Sequence, residues 1–382
     1  MWKWTFLLLT SLSYGANMHT THTITHTAPI THFTLNEQGN PIWLDQHGKL
    51  YALHQNQAQA ISQETFATSP APIAQFGRIA LADREQRLTV LHNQSQAHAK
   101  ETISPLAPIL ALPLATIAIV QEGQKFHIAR FEQRGEALEM VAIRRDFEVL
   151  PDAVVKQMDL GSGEHLVVLG QPDGKTYQHG VLGDSLEAKA LYYLERHSLE
   201  NLAEPLVLEE GLVFEANEVQ PFQKRFAVST VAGDGKGART VIIRQAQNKL
   251  EIMSQSEALP SHRWQSPFAF QDKLYAVRMP HLSGELVQYD FQDKQSALPL
   301  QSFGTGYSNH KIHDHQTNLT AITENFALIP HRNYQSLAVL TSNGFSQSLD
   351  FDGKKIQQLR ANSQSAWALL SDNSLWSIEI TK

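Results

Sequence analysis

Cysteine is absent from this chain of 382 residues. Without it the protein can form no disulfide bond, thiolate nucleophile, cysteine-based zinc site or acylated lipoprotein N-terminus. A chain of this length can bury a core that folds without covalent crosslinks. The lack of cysteine is therefore compatible with an exported protein of a bacterial periplasm.

Basic residues are outnumbered by acidic ones. The chain carries 31 Lys and Arg against 38 Asp and Glu, which gives a formal net charge of −7 at pH 7. Nucleic-acid binding needs a basic surface that displaces counterions from phosphate, and docking on an anionic membrane needs the same sign of charge. The composition therefore argues against a nucleic-acid partner and against electrostatic membrane binding.

Long apolar runs are also missing. A transmembrane helix needs about 20 consecutive apolar residues. The longest candidate after the N-terminus, residues 109–120, is shorter and contains Pro113. The sequence therefore predicts no transmembrane segment.

The N-terminus carries a short apolar stretch, Thr5–Leu12, between Lys3 and the small residues Ser13 and Gly15. This order is typical of a secretory signal peptide. We expect residues 1–15 to be cleaved off, which makes the mature protein periplasmic or secreted. A buried N-terminal strand is the alternative interpretation.

Two segments follow the predicted signal peptide. Residues 16–30 are rich in Thr and His without apolar periodicity, which predicts a flexible arm. Over residues 31–382, short apolar runs alternate with turns of Gly, Asp, Asn or Pro, which is typical of an all-β domain. Helical periodicity is scarce; residues 186–202 fit a helix or a strand.

Eight pairs of apolar runs are each joined by a turn and predict eight β-hairpins. The pairs are 41–44 with 49–53, 78–82 with 87–91, 115–120 with 126–131, 165–169 with 181–182, 226–231 with 240–244, 274–279 with 286–289, 326–329 with 337–340, and 366–370 with 375–380. Their spacing of about 40–55 residues indicates a repeat architecture.

An all-β repeat of this length favours a single β-propeller of seven or eight four-stranded blades. The last hairpin ends close to residue 382. We expect Thr31–Leu35 to pair with it, so that the N- and C-terminal strands close the ring and remove exposed strand edges. A pair of β-sandwiches is the alternative fold, and the even spacing of the hairpins counts against it.

Two hairpin turns carry the same dipeptide, Pro280-His281 and Pro330-His331. Equivalent turns of a propeller lie on one face, and His47 occupies the corresponding turn of the first hairpin. With His310 nearby, these histidines predict a polar or metal-binding site over the central channel. In the alternative interpretation, proline only ends the strand and histidine is tolerated beside it.

Arg196, His197, Arg263 and Asn309 complete the candidate polar site on the channel face. Arg196 and His197 stand beside Glu195, and such a run of ionisable groups suits acid–base chemistry or structural ion pairs. Arg263 and Asn309 precede the strands of the two Pro-His hairpins.

The segment from Ser308 to His315 is the densest histidine cluster. On a strand, His313 and His315 would share one face. Zinc sites use three or four ligands, so we consider His310, His313 and His315 as candidate ligands of a divalent metal. A further ligand would come from another blade.

Motifs of common enzymes are absent. The chain contains no Gly-x-Ser-x-Gly, no His-Glu-x-x-His, no Walker loop and no Gly-x-Gly-x-x-Gly. The sequence therefore assigns no catalytic residue.

Four stretches resemble an exported bacterial β-propeller family related to FG-GAP/VCBS-type repeats. They are His179–Asp184 with Glu195–Ser198, Arg263–Pro267, Met279–Gly284 and Ser308–His310. The resemblance covers the middle and C-terminal parts of the chain and implies a periplasmic propeller. It implies no particular activity, and the chain lacks the full calcium-loop motif of FG-GAP repeats.

These observations lead to three hypotheses. The first is a non-enzymatic binding or scaffold protein that takes a protein or small-molecule ligand on one face of the propeller. The second is a hydrolase or lyase with a His and Arg site at the channel mouth, formed by His281, His310, His331, Arg196 and Arg263. The third is a periplasmic carrier of a transition metal that uses the histidine clusters.

Overall fold

The computed structural model describes residues 17–92, 95–293, 295–315, 319–345 and 348–381. Within these ranges the chain is β-structure joined by turns, with one short 3₁₀ helix, Gly180–Leu182. The predicted all-β class is confirmed. The predicted signal peptide, residues 1–15, lies outside the described residues.

Thirty-four strands are numbered in chain order within these ranges. The first seventeen are β1 (Asn17–Thr25), β2 (Ile30–Leu35), β3 (Pro41–Asp45), β4 (Lys49–His54), β5 (Gln57–Thr65), β6 (Ile73–Gln75), β7 (Arg78–Ala82), β8 (Arg87–His92), β9 (Ser95–Thr102), β10 (Leu110–Leu112), β11 (Ala115–Glu122), β12 (Lys125–Arg134), β13 (Ala137–Ile143), β14 (Lys156–Asp159), β15 (Glu164–Asp173), β16 (Glu187–Leu194) and β17 (Leu206–Val207). The others are β18 (Leu212–Phe214), β19 (Gln220–Phe222), β20 (Phe226–Gly233), β21 (Lys236–Ala246), β22 (Lys249–Gln255), β23 (Gln265–Phe270), β24 (Lys273–Arg278), β25 (Glu285–Tyr289), β26 (Leu300–Ser302), β27 (Ala321–Ile322), β28 (Phe326–Pro330), β29 (Ser336–Thr341), β30 (Gly344–Phe345), β31 (Leu349–Asp350), β32 (Ile356–Ala361), β33 (Ala366–Leu370) and β34 (Ser374–Thr381).

The described strands form antiparallel meanders, in which each strand pairs with its neighbour in sequence. Single sheets are formed by β2–β5, β23–β26, β27–β31, and β32–β34 with β1. Two larger sheets each contain two meanders, β6–β9 with β10–β13 and β14–β17 with β19–β22. The first is joined by one parallel pair, Ala137 with His98, and the second by β18, which pairs with β16 and β20.

Seven of the eight predicted hairpins are confirmed as antiparallel pairs. They are β3–β4, β7–β8, β11–β12, β20–β21, β24–β25, β28–β29 and β33–β34. The predicted pairing of 165–169 with 181–182 is wrong, because β15 pairs with β16 instead. Asp173 Oδ1 accepts hydrogen bonds from the amides of Lys175 and Thr176 at 2.7 and 2.8 Å, and this turn ends β15 well before β16 begins.

Strand β1 pairs antiparallel with the last strand, β34, from Asn17 opposite Thr381 to Thr25 opposite Ser374. Residues 17–25 therefore form a strand where the sequence predicts part of a flexible arm over 16–30. Threonine is β-branched and favours extended backbone, so a threonine-rich tract needs no apolar periodicity to form an outer strand. The pairing also covers an edge of β34 that would otherwise be free.

The predicted pairing of Thr31–Leu35 with the last hairpin is wrong. These residues lie in β2, which pairs with β3 and places Phe33 opposite Trp43. Phe33 and Trp43 share a buried cluster with Trp367 and Leu369 of the last sheet. Full burial of a large apolar side chain contributes about 1.5–3 kcal/mol, so this cluster holds the first and last sheets together.

Hydrogen bonds strengthen the contact between the first and last sheets. Trp367 Nε1 donates to the carbonyl oxygen of Gly39 at 2.9 Å, and Gln358 Nε2 donates to that of Thr31 at 2.6 Å. The first strands of successive meanders are also neighbours, since β2 contacts both β32 and β6, and β6 contacts β10.

Each meander has two ends. At one end, which we name the loop face, the second and third strands are joined and the chain crosses to the next meander. At the other end, the hairpin face, the first strand joins the second and the third joins the fourth. Binding residues are often carried on such connections, so each face is a candidate position for a site.

Candidate functional site

The loop face carries most of the residues of the predicted polar site. Some lie between the second and third strands of a meander and others in the crossings between meanders. The residues on this face are His47, Arg263, His281, Asn309, His310 and His331. Their placement on one face follows from the topology of the meanders.

Arg196 and His197 lie elsewhere, in the connection between β16 and β17 on the hairpin face. The amide of Arg196 lies 3.3 Å from His165 Nδ1, and Glu195 Oε2 accepts from the amide of His197 at 2.7 Å. This ionisable run therefore shapes a local turn, and the structure does not bring it to His281 and His310.

His281 and His310 are in direct contact. His281 Nε2 lies 2.9 Å from His310 Nδ1, and His310 Nε2 lies 2.8 Å from the carbonyl oxygen of Asp314. Because a carbonyl can only accept, His310 Nε2 carries a proton and neutral His310 accepts at Nδ1 from His281. Burial lowers the pKa of both rings to about 4, so both are neutral at pH 7.

Trp264 packs against this histidine pair. Its ring is stacked on His281 with centroids 6.4 Å apart and meets His310 edge-on at 5.0 Å. Its Nε1 donates to the carbonyl oxygen of Glu215 at 2.9 Å. Trp264 therefore connects the histidine pair to the crossing that precedes β19.

Residues 308–315, which we name the crossing segment, contact several distant connections on the loop face. His313 Nδ1 lies 3.0 Å from the carbonyl oxygen of Gly180, and His315 Nδ1 lies 2.9 Å from Asp152 Oδ2. Lys311 Nζ donates to the carbonyl oxygen of Gln357 at 2.8 Å. The segment therefore joins β32 to the connections around β14 and β15.

The three candidate metal ligands do not converge. His310, His313 and His315 each contact a different partner: His281, Gly180 and Asp152. Among the described residues, no group of three or more His, Asp or Glu side chains is placed to hold a metal ion. The expectation that His313 and His315 share one face of a strand is wrong, because the crossing segment is a loop.

The remaining predicted residues occupy separate positions. Arg263 is exposed, and its Nη1 donates to the carbonyl oxygen of His262 at 2.7 Å. Asn309 is buried and its Nδ2 donates to Thr320 Oγ1 at 3.1 Å. His331 meets Tyr307 edge-on at 5.3 Å, and burial lowers its pKa. These three residues support the loops and do not face one common point.

A buried acidic cluster lies beside the crossing segment and was not predicted from the sequence. Glu215 is fully buried, and its Oε1 forms a short hydrogen bond with His179 Nδ1. Burial raises the pKa of Glu215 to about 7. Burial and the charges of Glu215, Asp152 and Asp184 raise the pKa of Glu187 well above its usual range.

Tyr177 and His262 form an aromatic wall next to His179. Their rings are stacked at 5.2 Å, and the His262 amide donates to the Tyr177 hydroxyl at 2.9 Å. Burial raises the pKa of the Tyr177 hydroxyl, so it stays protonated at neutral pH. Tyr177, Glu187 and Glu215 belong to no motif, and only their burial distinguishes them from other residues of their type.

A cavity of about 890 Å³ extends from the loop face along the first strands of several meanders to Asn362, which lies on the hairpin face. Its walls come from β2, β6 and β32, from the crossings before β6, β10, β14 and β19, and from residues 311–315. The volume lies within the roughly 300–1,000 Å³ of small-molecule sites. The cavity is therefore a candidate ligand site roofed by the crossing segment.

The cavity has an apolar and a basic wall. Leu106 and Ile312 line it and are 42% and 55% exposed. His32, Lys311 and Arg360 lie on the basic wall. Sequence patterns did not single out Leu106 or Arg360, because neither forms a motif.

Comparisons with known proteins show the fold. No protein-family model matches the chain, and no curated protein matches its sequence. The solved structure of the computationally designed Ika8 protein is 10% identical with a TM-score of 0.58, and covers 94% of this chain and 98% of its own. BamB from Moraxella catarrhalis is 11% identical with a TM-score of 0.58, and covers 95% of this chain and 100% of its own.

The fold that these similarities define is the β-propeller. At this level of identity they show the fold alone, so they assign neither a ligand nor a partner. The expected propeller is confirmed in its fold class. The more specific resemblance to FG-GAP/VCBS-type repeats is not matched by any family model.

Proposed function

We propose that the protein is an exported binding protein: a closed ring of eight four-stranded blades that holds a small-molecule ligand in the cavity at its loop face. The fold, the crossing segment and the cavity support this proposal in different ways. None of the described residues forms a helix long and apolar enough to cross a membrane.

The proposed blade count follows from the meanders. Seven blades are β2–β5, β6–β9, β10–β13, β14–β17, β19–β22, β23–β26 and β27–β31. The eighth combines β32–β34 with β1. The pairing of β1 with β34 and the packing of Trp367 against the first meander support ring closure.

The proposed export depends on the signal-peptide pattern of residues 1–15. Intact-mass measurement of the protein from the periplasmic fraction of expressing cells should give a chain that begins at Ala16. A full-length chain beginning at Met1 and confined to the cytoplasm would contradict export.

The observation that carries the binding function is the lined cavity of about 890 Å³. A concave space lined mainly by apolar side chains, with a few polar groups among them, is typical of a small-molecule site. Ala71 lines the cavity and is only half-buried, so a tryptophan at this position would fill part of the space.

Equilibrium dialysis against the small-molecule fraction of a periplasmic extract, read by mass spectrometry, tests the binding function. The wild-type chain should enrich at least one compound, and Ala71→Trp should lose that enrichment. Ala137→Trp is the matched control, because Ala137 is exposed on β13 away from the cavity. No enrichment by the wild type, or equal enrichment by Ala71→Trp, would contradict a cavity ligand.

A second candidate function, acid–base catalysis, is favoured by the hydrogen bond between Glu215 and His179. A carboxyl with a pKa of about 7 can give or take a proton at neutral pH. If this pair is catalytic, Glu215→Gln should abolish turnover of a compound identified by dialysis while leaving its binding intact. An unchanged compound recovered from wild-type protein would argue against catalysis.

A metal carrier receives no support from the described residues, because His310, His313 and His315 point to different partners. A protein ligand on the loop face remains compatible with the propeller fold. The concave space of about 890 Å³ is of the size of small-molecule sites, which favours a small molecule over a protein.

A further inference from the structure

We infer that the cavity selects an amphipathic monoanion, whose acidic group meets Arg360 and Lys311 and whose apolar body lies against Leu106 and Ile312. The inference rests on the proposed binding function and names the chemical class of the ligand. It is argued from the charges and the apolar surface of the cavity.

Arg360 is the central basic group. Its side chain is half-buried where it lines the cavity, and burial lowers its pKa to about 10, which still leaves it charged at neutral pH. Its Nη1 donates to the carbonyl oxygen of Leu359 at 2.8 Å, and its guanidinium lies 5.8 Å from the Phe33 ring centroid. Among the described residues, no carboxylate forms an ion pair with Arg360 within 4.0 Å.

A half-buried guanidinium without a carboxylate in ion-pair distance loses part of its hydration, and the more distant charge of Asp314 replaces that hydration only in part. Arginine offers two parallel N–H donors that match a carboxylate, sulfate or phosphate oxygen pair. An anionic ligand would therefore supply the missing partner.

Lys311 adds a second cation to the same wall. Its Nζ donates to the carbonyl oxygen of Gln357 at 2.8 Å and lies 5.6 Å from the Tyr334 ring centroid, again without an ion pair among the described residues. His32 is neutral at pH 7, because burial and the charge of Arg360 lower its pKa to about 4. The wall therefore presents two cations.

The carboxylates near the cavity offset only part of this charge. Asp314 lines the cavity, and its charge acts on Arg360, Lys311 and His32. Glu218 also lines the cavity, but Lys156 Nζ lies 3.0 Å from its Oε2 and neutralises it. His315 also lines the cavity but is paired with Asp152. Arg360 and Lys311 against Asp314 leave a surplus of one positive charge, which suits a single negative charge on the ligand.

The apolar wall determines the rest of the ligand. Besides Leu106 and Ile312, the cavity is lined by apolar side chains and prolines. They are Phe33, Leu35, Pro70, Pro72, Ile73, Pro105, Pro108, Ile109 and Val154. A small inorganic anion would leave this surface wet, whereas an alkyl or aromatic body would cover it at about 25 cal/mol per Å².

Isothermal titration calorimetry of the full mature chain with decanoate, decanol and decylammonium, all below micelle formation, tests the ligand class. Decanoate should bind at least 10-fold more tightly than decanol, and decylammonium more weakly than both. Arg360→Gln should weaken decanoate binding about 10-fold or more and leave decanol unchanged. Inorganic sulfate alone should bind weakly, because it uses only the basic wall.

Matched variants make the test specific. Arg332→Gln removes an exposed arginine of the same face that does not line the cavity, and should leave decanoate binding unchanged. Ile312→Ser should weaken decanoate and decanol alike. If circular dichroism shows that Arg360→Gln does not fold, Lys311→Gln and Arg360→Lys take its place, with the charge-preserving Arg360→Lys expected to retain most of the binding.

Equal binding of decanoate and decanol, unaffected by Arg360→Gln or Lys311→Gln, would overturn the proposed selectivity for an anion. The proposed binding function of the cavity would still stand in that case. Preference for decylammonium would overturn it as well. Absence of binding by all three probes to the folded wild-type chain would overturn the amphipathic class, while the dialysis experiment reports separately on whether the cavity binds anything.

Discussion

His315 Nδ1 lies 2.9 Å from Oδ2 of Asp152, although the two residues are 163 positions apart in the chain. Asn217 completes the contact, since its Nδ2 donates to Asp152 Oδ2 at 3.1 Å and to the carbonyl oxygen of His315 at 2.8 Å. These bonds fix the end of the crossing segment over the cavity. The cavity roof therefore depends on a few polar contacts that can be changed one at a time.

The contact between Asp152 and His315 should stabilise the fold in a pH-dependent way. The hydrogen bond and charge of Asp152 raise the pKa of His315 above its ordinary value of 6.5. The stabilisation should be complete below pH 6.5 and lost as pH rises through the raised pKa. A double-mutant cycle with Asp152→Asn and His315→Gln should give about 0.5–1 kcal/mol of coupling at pH 5.5 and less at pH 8.5.

The ion pair of Arg278 with Glu285, at 3.0 Å, is the control for this cycle, because it contains no histidine. Its coupling energy should change little between pH 5.5 and 8.5. A coupling between Asp152 and His315 that is the same at both pH values, or larger at pH 8.5, would contradict the proposed charge state of His315.

Glu215 should cause a loss of stability between mildly acidic and neutral pH. Because burial raises its pKa from 4.5 to about 7, its stabilising effect is complete below pH 4.5 and is lost as pH rises through about 7. Glu215→Gln should remove this pH dependence. The difference between the free energies of unfolding of the variant and the wild type should then change by up to about 3 kcal/mol over that pH range. Urea unfolding at several pH values measures the difference.

Glu139→Gln is the control for Glu215, since Glu139 is half exposed and pairs with Arg134. Its free energy of unfolding should change with pH in the same way as that of the wild type. If that of Glu215→Gln also changed in the same way, the buried carboxyl would not be titrating as the structure indicates.

Removal of β1 should destabilise the last sheet. Deletion of Asn17–Thr25 leaves β34 with an unpaired edge, which exposes backbone donors and acceptors to other chains. Compared with a chain beginning at Asn17, the deletion variant should unfold at a lower temperature and form larger species in size-exclusion chromatography with light scattering. A monomeric variant with an unchanged unfolding temperature would contradict ring closure by β1.

Metal content should be low and independent of the histidine cluster. His310, His313 and His315 are engaged with separate partners, so removing one should not release a bound ion. Elemental analysis of the purified protein should find well under one transition metal per chain, unchanged in a His281→Ala/His310→Ala variant. One metal per wild-type chain that disappears in this variant would restore the metal hypothesis.

Much of the fold could be predicted from local sequence patterns. Short apolar runs ended by turn residues predicted eight hairpins, and seven of them are confirmed, because buried strands joined by turns leave this pattern in a sequence. The fourth hairpin was missed because residues 181–182, predicted as its second strand, lie in a 3₁₀ helix within the long connection between β15 and β16. Strand β1 was missed because its threonine- and histidine-rich sequence shows no apolar pattern.

Less of the candidate site could be predicted. The repeated Pro-His turn placed His281 and His331 on one face, and His310 does contact His281. Glu187 and Glu215 were missed because their raised pKa values come from burial and, for Glu187, from neighbouring carboxylates, and both depend on segments far apart in the chain. Arg360 lies in a polar stretch of β32, and no pattern shows that it faces a cavity.

The most direct test of the cavity as the ligand site is a crystal structure of the protein grown with 10-bromodecanoate. Bromine is located by its anomalous scattering, independently of the interpretation of the remaining density. We predict a bromine peak inside the cavity beside Leu106 or Ile312, with the carboxylate in hydrogen-bonding distance of Arg360. Bromine bound only outside the cavity, with the cavity itself left without the probe, would contradict the proposed ligand site.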